Sequence, residues 1–211
     1  MKTTALTLAL LAAATAPVAC FAQQTSSTET NIGRLSMEEL ARKNQQGAAA
    51  VAAVKATPAP LSSADNALMM EVAMGGMMQL EVSRAAVSKA TNDAVKMFAQ
   101  AEVDEQTGLS AKLKEIAGAK GITLPSTPDA ETQTMISRMQ GLSGADFDRM
   151  YVQESGVNGH KKLDDVMSRV QKNASDASLR DLAKAAHPLV ETHLRAAQDM
   201  MKTMGGAMSN R

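Results

Sequence analysis

From Ser63 onward the chain repeats its apolar residues at helical spacing, and polar side chains are set into the resulting stripes. Met70, Met74 and Met77 define one stripe, and its next place is Glu81. Val95, Phe98, Leu109 and Leu113 define a second, with Glu102 and Gln106 inside it. A third carries Val157, His160, Leu163, Met167 and Val170; a fourth runs from Leu179 through Leu182, Ala186, Leu189, His193, Ala197 and Met200 to Met204. Helix stripes face a core, and carboxylates and imidazoles do not enter one unpartnered. Either the helices enclose a polar site, or the core holds a hydrogen-bonded network.

The same periodicity predicts the elements. A long helix spans about Ala64–Ala90, and a second, capped by Thr91 or Asn92, runs to about Ala119, where Lys120-Gly121 supplies a basic last turn and a terminal glycine. Two prolines interrupt Thr123–Pro128, a short helix follows over Asp129–Met139, and Gly141–Gly144 breaks it. A third long helix spans Ala145 to about Lys172 and a fourth Ala177 to about Met204, with Pro188 expected to kink or divide the last. Four long helices with short connections predict an all-α, antiparallel four-helix bundle over residues 63–205, the short helix riding in the one longer crossover.

Upstream, residues 23–62 are expected to lie outside the bundle. Gln23–Gly33 is polar and reads as disordered. Ser36-Met37-Glu38-Glu39 resembles a capping box opening a short amphipathic helix toward Val54. Thr57–Pro60 reads as a stiff linker and a domain boundary, and residues 206–211 as a tail.

The first 22 residues read as a signal peptide. Lys2 is a minimal basic start, and Leu6–Ala16 is apolar but shorter than the ~20 residues a membrane span needs. Cys20-Phe21-Ala22 offers small residues where a signal peptidase reads, so cleavage is expected before Gln23 and the address is periplasmic or otherwise exported. The alternative is a lipid anchor on Cys20, although Pro17 stands where such signals carry an aliphatic residue. Cys20 is the only cysteine, so a chain cut after Ala22 has no thiol, disulfide or cysteine-based metal site. No other segment predicts a transmembrane helix.

Composition narrows the partners. Lys+Arg and Asp+Glu both number 22, so no basic excess invites nucleic acid, and one Tyr, three Phe and no Trp are too few for base stacking. The shortage of aromatics beside abundant Ala, Leu and Met also favours helices over sheet.

Two carboxylates and two imidazoles converging inside a bundle form a candidate site for a first-row divalent metal: Glu81, Glu102, His160 and His193. Counted from the first turn, Glu81 and Glu102 fall level within ~3 Å at 1.5 Å per residue. Against a di-iron site, no Glu-x-x-His pair occurs: Glu102 is followed three on by Glu105, and Glu191 stands two before His193. Glu81–His or Glu102–His pairs would satisfy burial without metal. The 16 methionines, with clusters at Met69-Met70, Met74, Met77 and Met78, and Met200, Met201, Met204 and Met208, offer soft donors for copper(I), or an adaptable filling for a core poor in aromatics. His187 falls off the apolar stripe and reads as a surface residue at the Pro188 kink. Gly75-Gly76 follows no strand and reads as a place of close helix approach. No Ser-His-Asp spacing, phosphate-cradling loop or zincin motif is present.

Several blocks, in order, resemble a known family: Met74-Gly-Gly-Met-Met-Gln-Leu-Glu-Val82, Lys89–Gln100, Lys120-Gly-Ile-Thr-Leu-Pro125, Leu142–Val152, and His193-Leu194 in the last helix. They resemble the bacterial exported ferritin-like family known as domain of unknown function 4142, often labelled a membrane or outer-membrane protein. The resemblance covers about Ala67–Met201. It implies a ferritin-like four-helix bundle at the envelope and no established activity. It matches the family's first-helix Glu to Glu81 and its last-helix His to His193. It sets Glu105-Gln106 and Gly159-His160 where the family has Asp-His pairs.

The sequence therefore predicts an exported, non-enzymatic envelope or stress-associated protein without a resident cofactor, binding an unidentified envelope partner or small ligand. The alternative is a periplasmic metal-binding protein, using either the Glu/His set or the methionines.

Overall fold

The computed structural model describes the backbone of residues 31–209 and the side chains of residues 31–205. The expected signal peptide with Cys20, the start of the polar segment, the tail and Met208 lie outside the described side chains. The chain is predominantly helical. A two-residue hairpin, β1 (Asn31–Ile32) with β2 (Leu35–Ser36), leads into α1 (Met37–Ala52), α2 (Ser63–Lys89) and α3 (Asp93–Ala119). There follow α4 (Ala130–Gln140), then a continuous run of α5 (Gly144–Tyr151), a π-helical stretch (Val152–Gly159) and α6 (His160–Asn173), and finally α7 (Ala177–Ser209). No helix among the described residues is long and apolar enough to cross a membrane.

Local chemistry sets these boundaries. Ser36 and Ser62 open α1 and α2 by accepting from the backbone N–H three residues on, and Asn92 and Asp129 do the same for α3 and α4. The turn between α2 and α3 is tied from outside: the buried Asp148 carboxylate on α5 accepts from the Thr91 N–H at 3.0 Å, the Thr91 hydroxyl at 2.8 Å and the Asn92 N–H at 2.9 Å. At the other end, Asp65 on α2 accepts from the Ser175 N–H at 2.9 Å, and Lys120 reaches Asp176 at 2.7 Å with both side chains buried. Pro188 does not divide α7, which continues unbroken to Ser209; the Thr192 hydroxyl donates to the Pro188 carbonyl at 2.8 Å.

Residues 37–60 are not a free appendage. Helix α1 packs on α3 and α7, burying Leu40 and Val51, and Gly47 comes so close to Leu189 that a Cβ there would lie 2.1 Å from a methyl carbon. The Thr57–Pro60 stretch is also held: Thr57 N–H donates to Ser178 at 3.1 Å, and Lys120 donates to the Thr57 carbonyl at 2.9 Å. The apparent linker thus docks against the ends of α3 and α7.

Among the described residues the interior has two apolar clusters. One gathers Leu68, Met69, Leu113, Leu163, Met167 and Leu179; the other gathers Val82, Phe98, Phe147, Tyr151, Val152 and Ala197. On each of α2, α3, the α5–α6 run and α7, the crossing from one cluster to the other is marked by buried polar residues: Gln79, then Glu102, Glu105 and Gln106, then His160, then His193. A single polar layer therefore crosses the core.

Candidate metal centre

Helical spacing puts Glu102, Glu105 and Gln106 on the inner face of α3, since residues three and four apart share a face. All three are buried, as are His160 and His193. The carboxylate of Glu102 lies between the two imidazoles: its Oε1 is 2.9 Å from His160 Nε2 and also contacts His193 Nδ1. Glu105 Oε2 stands 2.9 Å from His193 Nδ1. Phe98 walls the site, its ring centroid 6.3 Å from that of His160 and 5.7 Å from that of His193.

The π-helical stretch places His160. Its widened turn presents the Ser155 carbonyl 3.1 Å from His160 Nδ1, and Gly156 admits α7 so closely that a Cβ would fall 2.8 Å from that of Ala197. Gln79 fills the remaining side. Its amide nitrogen lies 2.8 Å from His160 Nδ1 and 3.1 Å from the Ser155 carbonyl, and its oxygen accepts from the Ser155 hydroxyl. With the amide so turned, the neutral ring carries its proton on Nε2, toward Glu102. With it turned over, Nδ1 carries the proton and Nε2 is a bare lone pair facing the carboxylates, but the Gln79 oxygen then meets the Ser155 carbonyl in place of a donor.

Much of this layer lacks hydrogen bonds. Glu102 Oε2, both Glu105 oxygens, both Gln106 amide atoms and His160 Nε2 are buried without a hydrogen-bond partner. They are six of the seven such side-chain atoms among the described residues. The approach of His160 Nε2 to Glu102, and of His193 Nδ1 to Glu105, meets the distance of an ion pair without the angles of a hydrogen bond. One donor atom each from Glu102, His160 and His193 lies within 4.8 Å of the others, close enough to share one ion.

Electrostatics couple these groups. Burial alone would raise the Glu102 carboxyl, but the two imidazoles outweigh it and hold it well below the usual carboxylate range. Burial alone would lower His160 and His193, but the Glu102 charge overrides it and raises both, and Glu105 adds to each. Desolvation, reinforced by Glu102, pushes the Tyr151 phenol well above its ordinary value; Tyr151 shares a 2.9 Å hydrogen bond with Ser83.

Of the four expected ligands, the structure brings together Glu102, His160 and His193. Glu81 stands apart, its side chain 41% exposed and paired with Arg84 at 3.0 Å. The inner face of α2 runs through Leu68, Met69, Val72, Gly76, Gln79 and Ser83, so the Met70–Met74–Met77–Glu81 stripe is half-buried flank. Apolar residues lie on nearly all sides of α2, and the pattern alone does not select a face. Of the two expected acid–imidazole pairings, Glu102–His is formed and Glu81–His is not, and Glu105 joins Glu102 beside His193. Glu105 carries the signal that finds it, its position three residues after Glu102; Asn44, which reaches His193 from α1, carries none.

The first methionine cluster separates. Met69 is core, Met74 and Met78 line a surface cavity of about 290 Å³ beside Met135, and Met77 faces a different groove near Leu80. His187 is half-buried rather than on the surface, with Nε2 2.7 Å from Asp164 and Nδ1 2.6 Å from the Gln171 amide. With Asp164 and Glu191 it forms a second, more exposed acid–imidazole group.

Compared with known proteins, residues 49–200 match the family described as Domain of unknown function (DUF4142), and the chain belongs to that family. No curated protein and no solved structure matches.

Proposed function

We propose that this member of the family is an exported metal-binding protein, a ferritin-like four-helix bundle holding one first-row divalent ion between Glu102, Glu105, His160 and His193. The observation that carries the reading is the layer of six unpartnered buried polar atoms: such atoms cost ~1–3 kcal/mol each, and an ion shared among them removes that cost for the oxygens and imidazole nitrogens it contacts. Imidazole and carboxylate donors suit zinc, iron(II) and manganese(II). Two carboxylates balance a divalent ion when both imidazoles are neutral, so the buried site would carry no net charge. The pairing of α2 with α3 and of α6 with α7 through short turns supports the bundle description. The apolar start followed by Cys20-Phe21-Ala22 supports export.

The second reading is a metal-free core network. It is favoured by the raised imidazoles and lowered Glu102, which together describe a buried imidazolium–carboxylate cluster. Elemental analysis and intact mass of the protein isolated from the exported fraction separate the readings. A chain beginning at Gln23 with a near-stoichiometric first-row metal is expected. A metal-free chain whose melting temperature is unmoved by zinc, manganese or iron(II) supports the network instead.

A further inference from the structure

Helix α1 gives one polar side chain to the buried layer. Asn44 donates its Nδ2–H to the Ala101 carbonyl at 3.0 Å, which fixes the orientation of its amide. Its Oδ1 then faces His193 Nε2 at 2.8 Å, and an oxygen there accepts only if that nitrogen carries a proton. The other nitrogen, Nδ1, points at Glu102 and Glu105. Asn44 also stands, with Glu105, between the layer and a groove of about 410 Å³ between α1 and α3, lined by Met37, Leu40 and Met97. Asn44 lies before the residues matched by the family.

We propose that Asn44 is a positioning residue of the metal site: it fixes His193 with its proton on Nε2 so that the ring binds the ion through Nδ1, and it closes the site toward the α1–α3 groove. The proposal rests on the metal-binding reading above. A second hydrogen bond from the ligand's far nitrogen fixes its tautomer and strengthens it as a donor, and removing such a partner commonly weakens binding by about 10- to 100-fold. Helix α1 is therefore part of the site, although it supplies no ligand.

The test uses zinc as the probe on the full chain. Imidazole nitrogen NMR of the zinc-bound wild type is expected to show His193 protonated on Nε2 and bound through Nδ1. Asn44→Ala should weaken zinc by about 10- to 100-fold and speed its loss to an external chelator. Parallel melts without metal separate site loss from misfolding. If the wild type binds no zinc, the metal-binding reading fails and this proposal with it. If it binds zinc through His193 Nε2, or if a folded Asn44→Ala binds and releases zinc as the wild type does, the proposal alone is overturned.

Discussion

His193 Nδ1 lies 2.9 Å from Glu105 Oε2 and also contacts Glu102, while the ring's other nitrogen is held by Asn44 at 2.8 Å. One imidazole thus meets two carboxylates with a single nitrogen. Either that nitrogen carries a shared proton, or it binds an ion together with the carboxylates. The two states respond oppositely to pH.

In the metal-free protein both imidazoles have folded values above the ordinary 6.5, so their contribution to stability is complete below that value and is lost as pH rises through the folded ones. Glu102 has a folded value below the ordinary 4.5, so its contribution is present above that value and is lost as pH falls through the folded one. Stability is therefore expected to be greatest between these ordinary values, falling on the alkaline side. With excess zinc the alkaline fall should be offset, because deprotonated imidazoles bind the ion. Melts across pH, with and without zinc, check both signs.

Glu102→Gln removes the charge between the imidazoles. In the metal-free protein near pH 6 it should cost ~3–5 kcal/mol, the usual cost of breaking a buried pair, and less at pH 8, where the imidazoles can shed their protons. Glu81→Ala is expected to change stability by no more than ~0.5 kcal/mol, as for an exposed ion pair. Denaturant unfolding of the two variants measures the difference; equal costs would contradict the placement of Glu102 as the central acid.

Gln106 is buried with both amide atoms unpartnered, and its Oε1 would lie 3.2 Å from a Cβ built on Gly76, so the glycine leaves room beside it. Gln106→His offers an imidazole in place of a carboxamide and should tighten zinc binding. A competition titration that gives an unchanged or weaker affinity in a folded variant would place Gln106 outside the ion's reach.

Three of the four inner helix faces were legible in the sequence, and for a common reason. Around Glu102, His160 and His193 the flanking residues are apolar on one side only, so the stripe selects the face. On α2, methionine and other apolar residues surround the helix, and the stripe ending in Glu81 competes with the one through Gln79 and Ser83. The extended pattern through His160 held across the π-helical turn, because Val157, Leu163, Met167 and Val170 all stay buried. Asn44 was not legible, since one asparagine on a polar helix gives no periodic signal. Its role depends on how closely Gly47 lets α1 approach α7.

Calorimetric titration of zinc into the metal-free protein near pH 6, repeated in buffers of different ionisation enthalpy, decides whether an ion or shared protons hold the buried layer together. The expected result is one saturable ion per chain with about one proton released from each of the two imidazoles, because the ion replaces the protons that Glu102 and Glu105 otherwise hold on His160 and His193. Absence of saturable binding, or saturable binding that persists unchanged in a folded His193→Ala variant, would contradict it.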